Sequence, residues 1–307
     1  MNGAVRTDVG LTVVVVSYGR DDSIGDTLAD LAAQAPVAPD EVLLVLQAYP
    51  DAAVERIEHD FGARLPLRIV RFAVGLGVHG ARNVALARAR GGVVAFLDDD
   101  VRVPPAWTAT LLPYYDDPGL GGVGGYVSHP NCRRLVARLL RPVLGMASRR
   151  YRVDWGGFHT MPWSSHPAAD QPADWLSGCN MSFRTDVLRT LGGFDEGYGR
   201  YGYDDVDVGV RVRQAGWRLV SSRALAVAHF PSPRNREALP ALTRAEEARR
   251  VRLVRRAIGH RPLWRARFLA RLALHLVAAT VHGASRGYPR LAAQVLAGAR
   301  EGLAAGR

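Results

Sequence analysis

Three consecutive carboxylates, Asp98, Asp99 and Asp100, stand directly after the apolar run 92–97. Such a run is typical of a buried strand. At the carboxyl end of a strand in an open α/β sheet, clustered oxygens face the crevice where ligands bind. They suit a hard divalent cation such as Mg²⁺ or Mn²⁺ that carries phosphates. For an isolated triplet, a solvated acidic turn is the alternative interpretation.

A second acidic stretch, with Asp204, Asp205 and Asp207, opens a predicted helix. Acidic residues at a helix N-terminus ordinarily interact with the helix dipole. Three within four residues exceed what capping needs, so one of them is a candidate general base. Asp207 is expected to fix the start of the helix.

Two basic side chains add to the candidate site. His229 follows an apolar strand, where a neutral imidazole can bind a metal or simply end the strand. Arg82 follows the glycine-bearing turn 75–80, and its guanidinium could pair with a phosphate. The alternative for Arg82 is a helix-surface arginine, with Asn83 as a structural cap.

The elements that would position these residues alternate along the first hundred residues. Strands are predicted at 11–16, 41–46, 67–72 and 92–97, and helices at 22–34, 51–60 and 79–90. Continuous apolar strands separated by helices predict a parallel sheet covered on both faces. The fold class is therefore α/β, with a doubly wound, Rossmann-like first half.

The second half is less regular. Helices are predicted at 104–115, 185–190 and 204–215, the last ended by Gly216, and strands at 120–127 and 220–228. The long segment 129–170 has no clean period. Its aromatic residues Trp155, Phe158 and Trp163 favour an ordered binding loop or active-site flap over a surface excursion packed on its own aromatics.

The net charge of +11 belongs to the end of the chain. Residues 241–307 hold 14 arginines and three glutamates, whereas 26 basic and 26 acidic residues balance in 1–240. Nucleic-acid binding by the main part of the chain is therefore not expected. Cys132 and Cys179 have no spacing typical of a disulfide framework or a zinc site, and no signal peptide is expected at the start. These features favour a cytoplasmic protein.

The arginine-rich tail is predicted to form helices over 240–304. Its apolar stretch 268–284 is too short and too polar to span a bilayer. A helical wheel groups basic residues in one broad arc: Arg261, Arg265, Arg267, Arg271, His275 and His282. The arc leaves three alternatives, namely an interfacial helix on the anionic inner face of a membrane, a capping helical subdomain, or a homodimer contact.

Several motifs together resemble the inverting glycosyltransferases of family 2, which have the GT-A fold. In chain order they are Ser17-Tyr18-Gly19-Arg20, Gly75-Leu76-Gly77 with Ala81-Arg82-Asn83, Asp98-Asp99-Asp100, Gly178-Cys179-Asn180, Gly192-Gly193-Phe194-Asp195-Glu196, Asp204-Asp205-Val206-Asp207 and His229. The likeness covers roughly 11–232. It implies a catalytic domain at 1–238, with a nucleotide-binding half to about 100 and an acceptor half after it, followed by a helical extension at 239–307.

The resemblance implies a role for each motif residue. Asp100 and His229 would bind a divalent Mn²⁺ or Mg²⁺, and Asp205, with Asp204 as second choice, would be the general base. Nucleotide contacts are implied for Ser17, Tyr18, Arg20, Gln47, Gly77, Arg82, Asp98 and Asp99. Acceptor contacts are implied for Trp175, Gly178, Asn180 and Asp195. The partners would be a nucleotide-sugar donor and a small-molecule, lipid-linked or glycan acceptor.

One departure from the family concerns the nucleobase. The second strand of the family usually ends in an acidic residue that contacts the base, whereas here Gln47 occupies that place. Two other functions stay open from the residues alone. One is phosphoryl transfer through an aspartate nucleophile, which the position of the acidic cluster after the fourth strand disfavours. The other is a nucleic-acid or membrane-binding module that uses the tail, and it leaves the carboxylates unexplained.

Overall fold

A computed structural model of the chain describes residues 10–19, 21–128, 150–160, 169–231, 239–258, 263–285 and 287–305. Two units follow from the packing of the chain. The first holds the described residues of 10–128, 150–151 and 169–231, and the second holds 152–160 and the described residues from 239 onward.

The first half of the first unit alternates strands and helices as the sequence predicts. Its elements are β1 (Leu11–Tyr18), α1 (Asp21–Ala32), β2 (Glu41–Gln47), α2 (Asp51–Phe61), β3 (Leu67–Phe72), α3 (Gly77–Arg88) and β4 (Val93–Asp98). Strands β1 and β2 are almost wholly buried and rich in valine and leucine, as expected of strands covered on both faces.

The rest of the first unit adds short elements around the same sheet. They are β5 (Val101–Arg102), α4 (Trp107–Leu111) continued by a 3₁₀ turn (Leu112–Asp116), β6 (Leu120–Ser128), β9 (Gln171–Pro172), β10 (Asn180–Arg184), α5 (Thr185–Thr190), α6 (Asp204–Gln214) and β11 (Arg218–His229). The predicted helix at 104–115 is thus shorter: Pro104 and Pro105 lie in a turn before it, in which the Trp107 amide donates to the Pro104 carbonyl at 3.0 Å. Gly216, just after α6, has φ +93°, the left-handed conformation expected at a helix end.

The strands form one mixed sheet in the order β3-β2-β1-β4-β10-β6-β11-β5, with β9 beside β11. β3, β2, β1 and β4 are mutually parallel, whereas β10 runs antiparallel to both β4 and β6. The mostly parallel GT-A-like architecture expected from the sequence is confirmed. β10 could not be placed from local pattern, because its antiparallel partners lie more than 50 residues away.

The second unit contains a short hairpin and helices. The hairpin pairs β7 (Arg152–Val153) with β8 (His159–Thr160). The helices are α7 (Leu239–Leu253), which runs into a π-helical turn (Val254–Ile258), α8 (Trp264–Ser285) and α9 (Leu291–Ala304). Among the described residues, none of the helices combines the length and apolar character needed to cross a bilayer.

The hairpin is held to the helices of its own unit by a cation–aromatic cluster. The Arg250 guanidinium lies 4.4 Å from the ring centroid of Phe158 and pairs with buried Glu247. The ring of Phe158 also packs edge-to-face on His275 at 5.0 Å. Phe158 therefore has a packing role, where the sequence had favoured a binding loop, and Trp163 lies outside the described residues.

The basic arc predicted for the tail does not face solvent as a whole. Arg271 donates to Asp154 at 2.6 Å, and His275 lies 3.1 Å from the Glu247 carboxylate. Both side chains are at least partly buried against the second unit. These two positions of the arc therefore pack within the second unit, whereas Arg265, Arg267 and His282 are exposed, and Arg261 lies outside the described residues.

One glycine in the sheet leaves no room for a side chain. A Cβ at Gly125 in β6 would overlap the carbonyl oxygen of Leu225 and the side-chain amide of Asn180. Gly25 in α1 has no atom within 4 Å of the same added carbon. We expect Gly125→Ala to lower the free energy of unfolding by about 3 kcal/mol, because the Leu225 backbone and the Asn180 side chain must move away from the added methyl group.

Chemical denaturation checks this expectation, with Gly25→Ala as the matched control. In α1 the same substitution should be neutral or should stabilise by about 0.5–1 kcal/mol. Equal effects of the two variants would contradict the packing described for β6.

Candidate active site

The register between β5 and β11 brings His229 to the acidic triplet. His229 pairs with Val101 in that antiparallel ladder, and the amide of Phe230 donates to the Asp100 carbonyl at 2.9 Å. The His229 Nε2 atom consequently lies 2.9 Å from Asp100 Oδ1 and 3.9 Å from Asp98 Oδ2. One ligand atom from each of these three side chains lies within 4.8 Å of the others.

This trio fits a divalent cation. Two carboxylates and an imidazole are a donor set that Mn²⁺ or Mg²⁺ accepts. Ligands about 2.1 Å from an ion and at right angles are about 3.0 Å apart, close to the separation of His229 and Asp100. Ligands on opposite sides of such an ion are about 4.2 Å apart, so the outer limit of 4.8 Å for this trio exceeds that separation by about 0.6 Å, which side-chain rotation can close. The convergence predicted from sequence is present.

Arg82 holds the next layer of the site together. Its side chain is only 5% exposed, so its charge requires partners inside the protein. It pairs with Asp204, lies 3.4 Å from Asp98 Oδ1, and donates to the Gly178 carbonyl at 2.8 Å. The ring of Phe194 covers the guanidinium at 5.7 Å. The helix-surface alternative for Arg82 is therefore wrong.

The acidic pair stands at the first turn of α6, directly after a strained residue. Tyr203 has φ +66°, a left-handed conformation that costs a non-glycine residue about 1–2 kcal/mol. The buried Asp204 next to it contacts both Arg82 and His79 Nε2, the latter at 3.1 Å. Burial alone would raise the pKa of Asp204, but the Arg82 charge and the His79 contact lower it overall, well below the usual range.

Asp205 has the opposite electrostatic surroundings. Its Oδ2 accepts from the Gly178 amide at 3.0 Å and its Oδ1 from the Val206 amide at 2.8 Å. Burial and then the ionised Asp204 raise the pKa of Asp205 to about 7. Neighbouring carboxylates with widely separated pKa values are typical of a site that divides structural and proton-accepting roles.

Gly178 links the two acidic groups. Its amide contacts Asp205 and its carbonyl contacts Arg82, while a Cβ there would lie 3.0 Å from one guanidinium nitrogen and 3.3 Å from Asp205 Oδ2. The close backbone approach predicted for this glycine is present. Through Arg82 and Asp98, an unbroken series of contacts therefore joins Asp205 to His229.

Apart from Arg20, the predicted nucleotide residues lie at or directly after the carboxyl ends of β1, β2 and β4, and in α3. Ser17, at the end of β1, contacts Asp99 and lies 2.6 Å from the hydroxyl of Tyr49. Asp99 is fully buried, so it supports Ser17 from inside the sheet rather than facing solvent. Tyr18 is 40% exposed and has the guanidinium of Arg200 at 5.8 Å from its ring.

Gln47 and Gly77 shape the turn before α3. The Gln47 side-chain oxygen accepts from the Leu76 amide at 2.7 Å, so this buried amide already fixes the turn. Gly77 has φ +75°, and a Cβ there would lie 3.0 Å from the Arg200 carbonyl oxygen. Arg20 lies outside the described residues.

Two predicted acceptor residues are part of the core. Trp175 is 3% exposed and packs edge-to-face on Tyr151. Asn180 is 1% exposed; its amide donates to Leu225 at 2.7 Å and accepts from Trp107 at 3.3 Å. Their acceptor-binding roles stay predictions.

Asp195 and Asp207 have local roles in the described structure. Asp195 accepts from the Gly197 amide and so caps a 3₁₀ turn. Asp207 was expected to fix the start of α6. Its buried carboxylate instead accepts from Arg211, one turn further on, at 2.6 Å and from Tyr198 at 3.1 Å.

Sequence reasoning gave no role to His79, Tyr49 or Arg200. His79 is fully buried and donates through Nδ1 to the Gly199 carbonyl at 2.8 Å while its other nitrogen faces Asp204. Its partners lie more than 100 residues away, so no local pattern could find them. Asn83 was considered as a structural cap. Its side-chain oxygen instead accepts from the Phe194 amide at 2.8 Å, and its side-chain nitrogen donates to the Phe194 carbonyl at 2.9 Å.

Comparisons with known proteins agree with this geometry. The model of the family "Glycosyl transferase family 2" matches residues 12–169, just over half of the chain. A second model, described as the N-terminal domain of galactosyltransferase, matches 159–232 and so includes the acidic pair and His229.

The chain is similar to several curated proteins. It is 26% identical to a chondroitin synthase of Escherichia coli over 74% of this chain and 35% of that protein. It is 27% identical to a validoxylamine A glucosyltransferase of Streptomyces hygroscopicus over 78% of this chain and 55% of that protein. The chain thus spans a third to about half of the lengths of these two relatives. An N-acetylglucosaminyl-diphospho-decaprenol L-rhamnosyltransferase of Mycobacterium tuberculosis is 28% identical over 73% of this chain and 76% of its own.

Solved structures share the fold. The mannosyltransferase PcManGT of Pyrobaculum calidifontis, in complex with GDP-Man and Mn²⁺, superposes with a TM-score of 0.63 over 97% of this chain and 88% of its own, at 22% identity. Residues 1–349 of S. aureus TarS, in complex with UDP-GlcNAc, give a TM-score of 0.66 over 96% of this chain and 81% of theirs, at 17% identity.

The opposite electrostatics of the acidic pair predict opposite effects on stability. The folded-state pKa of Asp205, about 7, lies above its ordinary 3.8. The stability that this group contributes is therefore full below about pH 4 and is lost as the pH rises through 7. Asp205→Asn should raise the melting temperature at about pH 8, and the gain should shrink towards zero near pH 4. Thermal unfolding in buffer with a chelator measures this.

Asp204→Asn is the contrasting variant. Its lowered pKa means that the ionised form stabilises the fold, and this contribution is lost only as the pH falls through the folded-state pKa. Breaking its buried pair with Arg82 should cost about 3–5 kcal/mol at pH 8. Exposed Asp60→Asn should change stability by about 0.5 kcal/mol or less. If Asp204→Asn stabilised the protein at pH 8, this would contradict the description of Asp204 as an ionised partner of Arg82.

Proposed function

Because the chain belongs to glycosyltransferase family 2, we propose that it transfers a sugar from a nucleoside-diphosphate donor to an acceptor hydroxyl, with inversion at the anomeric carbon. The observation that carries the proposal is the continuous series of contacts from Asp205 to the Asp98, Asp100 and His229 trio. One group can accept a proton, and the other can hold a cation beside a diphosphate.

Asp98, Asp100 and His229 would hold Mn²⁺ or Mg²⁺. A bound cation of this kind neutralises the negative charge that grows on a diphosphate leaving group. The residues of the chain bind and orient the donor around that place. Ser17 and Asp99 fix the end of β1, and Gln47 fixes the turn before α3.

Asp205 is the proposed general base. A pKa of about 7 leaves a substantial ionised fraction near neutral pH and still gives a carboxylate basic enough to accept the proton of the attacking hydroxyl. Asp204 is less suited to this role, because Arg82 and His79 occupy its carboxylate and keep it ionised. We therefore assign Asp204 to positioning and Asp205 to catalysis.

The acceptor class follows only from chemistry and relatives. Relatives of this chain are named chondroitin synthase, validoxylamine A glucosyltransferase and N-acetylglucosaminyl-diphospho-decaprenol L-rhamnosyltransferase. We infer that the acceptor of this chain presents a hydroxyl group as the nucleophile. We propose an acceptor of this kind, drawn from the glycan, small-molecule and lipid-linked classes, on a bacterial polysaccharide or natural-product pathway.

Substitutions of the proposed base and of the cation ligands should have different effects on turnover and on nucleotide binding. A thermal-shift screen of UDP-, GDP- and dTDP-sugars in the presence of Mn²⁺ first identifies the donor. With that donor, Asp205→Asn should keep nucleotide binding but should lower the turnover rate about 10²–10⁴-fold. Asp100→Ala should lose the Mn²⁺-dependent part of nucleotide binding. In the unaltered protein, turnover should rise with pH through about 7 and then level off, because only the ionised base accepts the proton.

Nucleotide release and NMR of the product anomer provide the readouts. Asp60→Asn, on the surface, is the matched control and should leave both properties unchanged. Retained anomeric configuration in the product would contradict inversion. Full turnover of Asp205→Asn would contradict the assignment of the base, and metal-independent turnover unaffected by Asp100→Ala would contradict the cation site.

A further inference from the structure

The outward face of α8 is apolar. Leu269, Leu274, Val277 and Val281 are 61%, 57%, 64% and 58% exposed. At 3.6 residues per turn they fall within one arc of about 140°. The remaining exposed positions of that arc are Ala266, Ala270, Ala273, Thr280 and Ala284. No charged side chain of the sequence falls in this arc between residues 266 and 284.

The inward side of the same helix carries both polar and apolar groups. Arg271 pairs with Asp154 and His275 contacts Glu247, whereas buried Phe268 fills the space beside them. Leu272, Leu276 and Ala279 also pack inward against α9. An inward apolar stripe is normal for a surface helix, so the unusual feature of α8 is its second apolar face, which is turned outward. Leaving a Leu or Val side chain in water forgoes about 1.5–3 kcal/mol relative to full burial. A contiguous exposed apolar surface of this kind is typical of an interaction site.

Charge around this face indicates the kind of partner. Exposed Arg265 and Arg267 lie at the first turn of α8, beside the apolar arc. The described residues from 239 to 305 carry eleven arginines and three glutamates. An apolar stripe within a strongly basic unit is complementary to an anionic lipid bilayer, which has negatively charged headgroups above an apolar interior. Basic residues close to anionic lipid contribute about 1 kcal/mol each.

A second copy of the chain fits this face less well. A helix about 33 Å long and about 10 Å wide offers on the order of 300 Å² on one face. A stable dimer needs about 800 Å² from each partner. Pairing two such faces would also bring together two surfaces of the same strong positive charge, which repel each other.

We propose that the apolar face of α8, defined by Leu269, Leu274, Val277 and Val281, docks on an anionic phospholipid bilayer with the helix parallel to the surface. The apolar side chains would enter the boundary between headgroups and acyl chains, and the arginines would contact lipid phosphates. This inference depends on the second unit alone and is independent of the proposed transfer reaction.

Co-sedimentation of the full chain with phosphatidylcholine vesicles, with and without phosphatidylglycerol, tests the proposal. We expect binding to the vesicles that contain phosphatidylglycerol and a loss of that binding at high salt. Val277→Asp should weaken the binding at least about tenfold, because it places a charge at the centre of the apolar arc. Arg265→Glu with Arg267→Glu should weaken it as well.

Val37→Asp is the matched control, since Val37 is an exposed valine of the first unit, at 37% exposure. It should bind vesicles like the unaltered protein. Circular dichroism checks that all variants keep the same helix content. The readout contains no catalytic step, so a failure of the proposed transfer reaction would leave it unaffected, and donor hydrolysis by Val277→Asp should be unchanged.

Three results would overturn the proposal. The first is no binding to vesicles that contain phosphatidylglycerol. The second is equal binding by Val277→Asp and Val37→Asp. The third is that the unaltered protein binds no vesicles and is a dimer in sedimentation velocity, and that Val277→Asp dissociates this dimer. That result would assign the face to self-association.

Discussion

The buried guanidinium of Arg82 is the interaction on which the site depends. A charge removed from water must be compensated by partners in the protein, or the fold loses several kcal/mol. Here the partners come from separate segments: Asp98 at the end of β4, the Gly178 carbonyl before β10, and Asp204 at the start of α6. The contacts that compensate the Arg82 guanidinium therefore also bring together the groups proposed to act in the reaction. Its pairing with Asp204 also keeps that carboxylate ionised, and burial together with this charge raises the pKa of Asp205.

Much of the fold could be predicted because its information is local. The buried strands of the first half are continuous apolar runs, and their boundaries in the structure differ from the predicted ones by a few residues. The pairing of the acidic triplet with His229 was also predictable, through the order of the motifs, and the β5–β11 register accounts for it physically. These features depend on period, composition and motif order, which are all visible in one sequence.

The rest depends on contacts between distant residues. No pattern near His79 indicates that it lies against Asp204, and nothing near Trp175 or Asn180 shows that their side chains are enclosed by the core. The tail shows the same limit. A helical wheel identifies the faces of α8. Which side turns inward is decided by the contacts with Asp154 and Glu247 and by the apolar packing on α9, and Asp154 lies on a hairpin more than 100 residues earlier.

We propose that Asp98, Asp100 and His229 bind a single cation. The most direct test is electron spin-echo spectroscopy of Mn²⁺ bound to the protein together with a nucleoside diphosphate. The account predicts one Mn²⁺ per chain with a nitrogen hyperfine coupling from the imidazole, and loss of that coupling in His229→Asn while the chain stays folded. A bound Mn²⁺ whose spectrum has no nitrogen coupling, or one that keeps the coupling in His229→Asn, would contradict it.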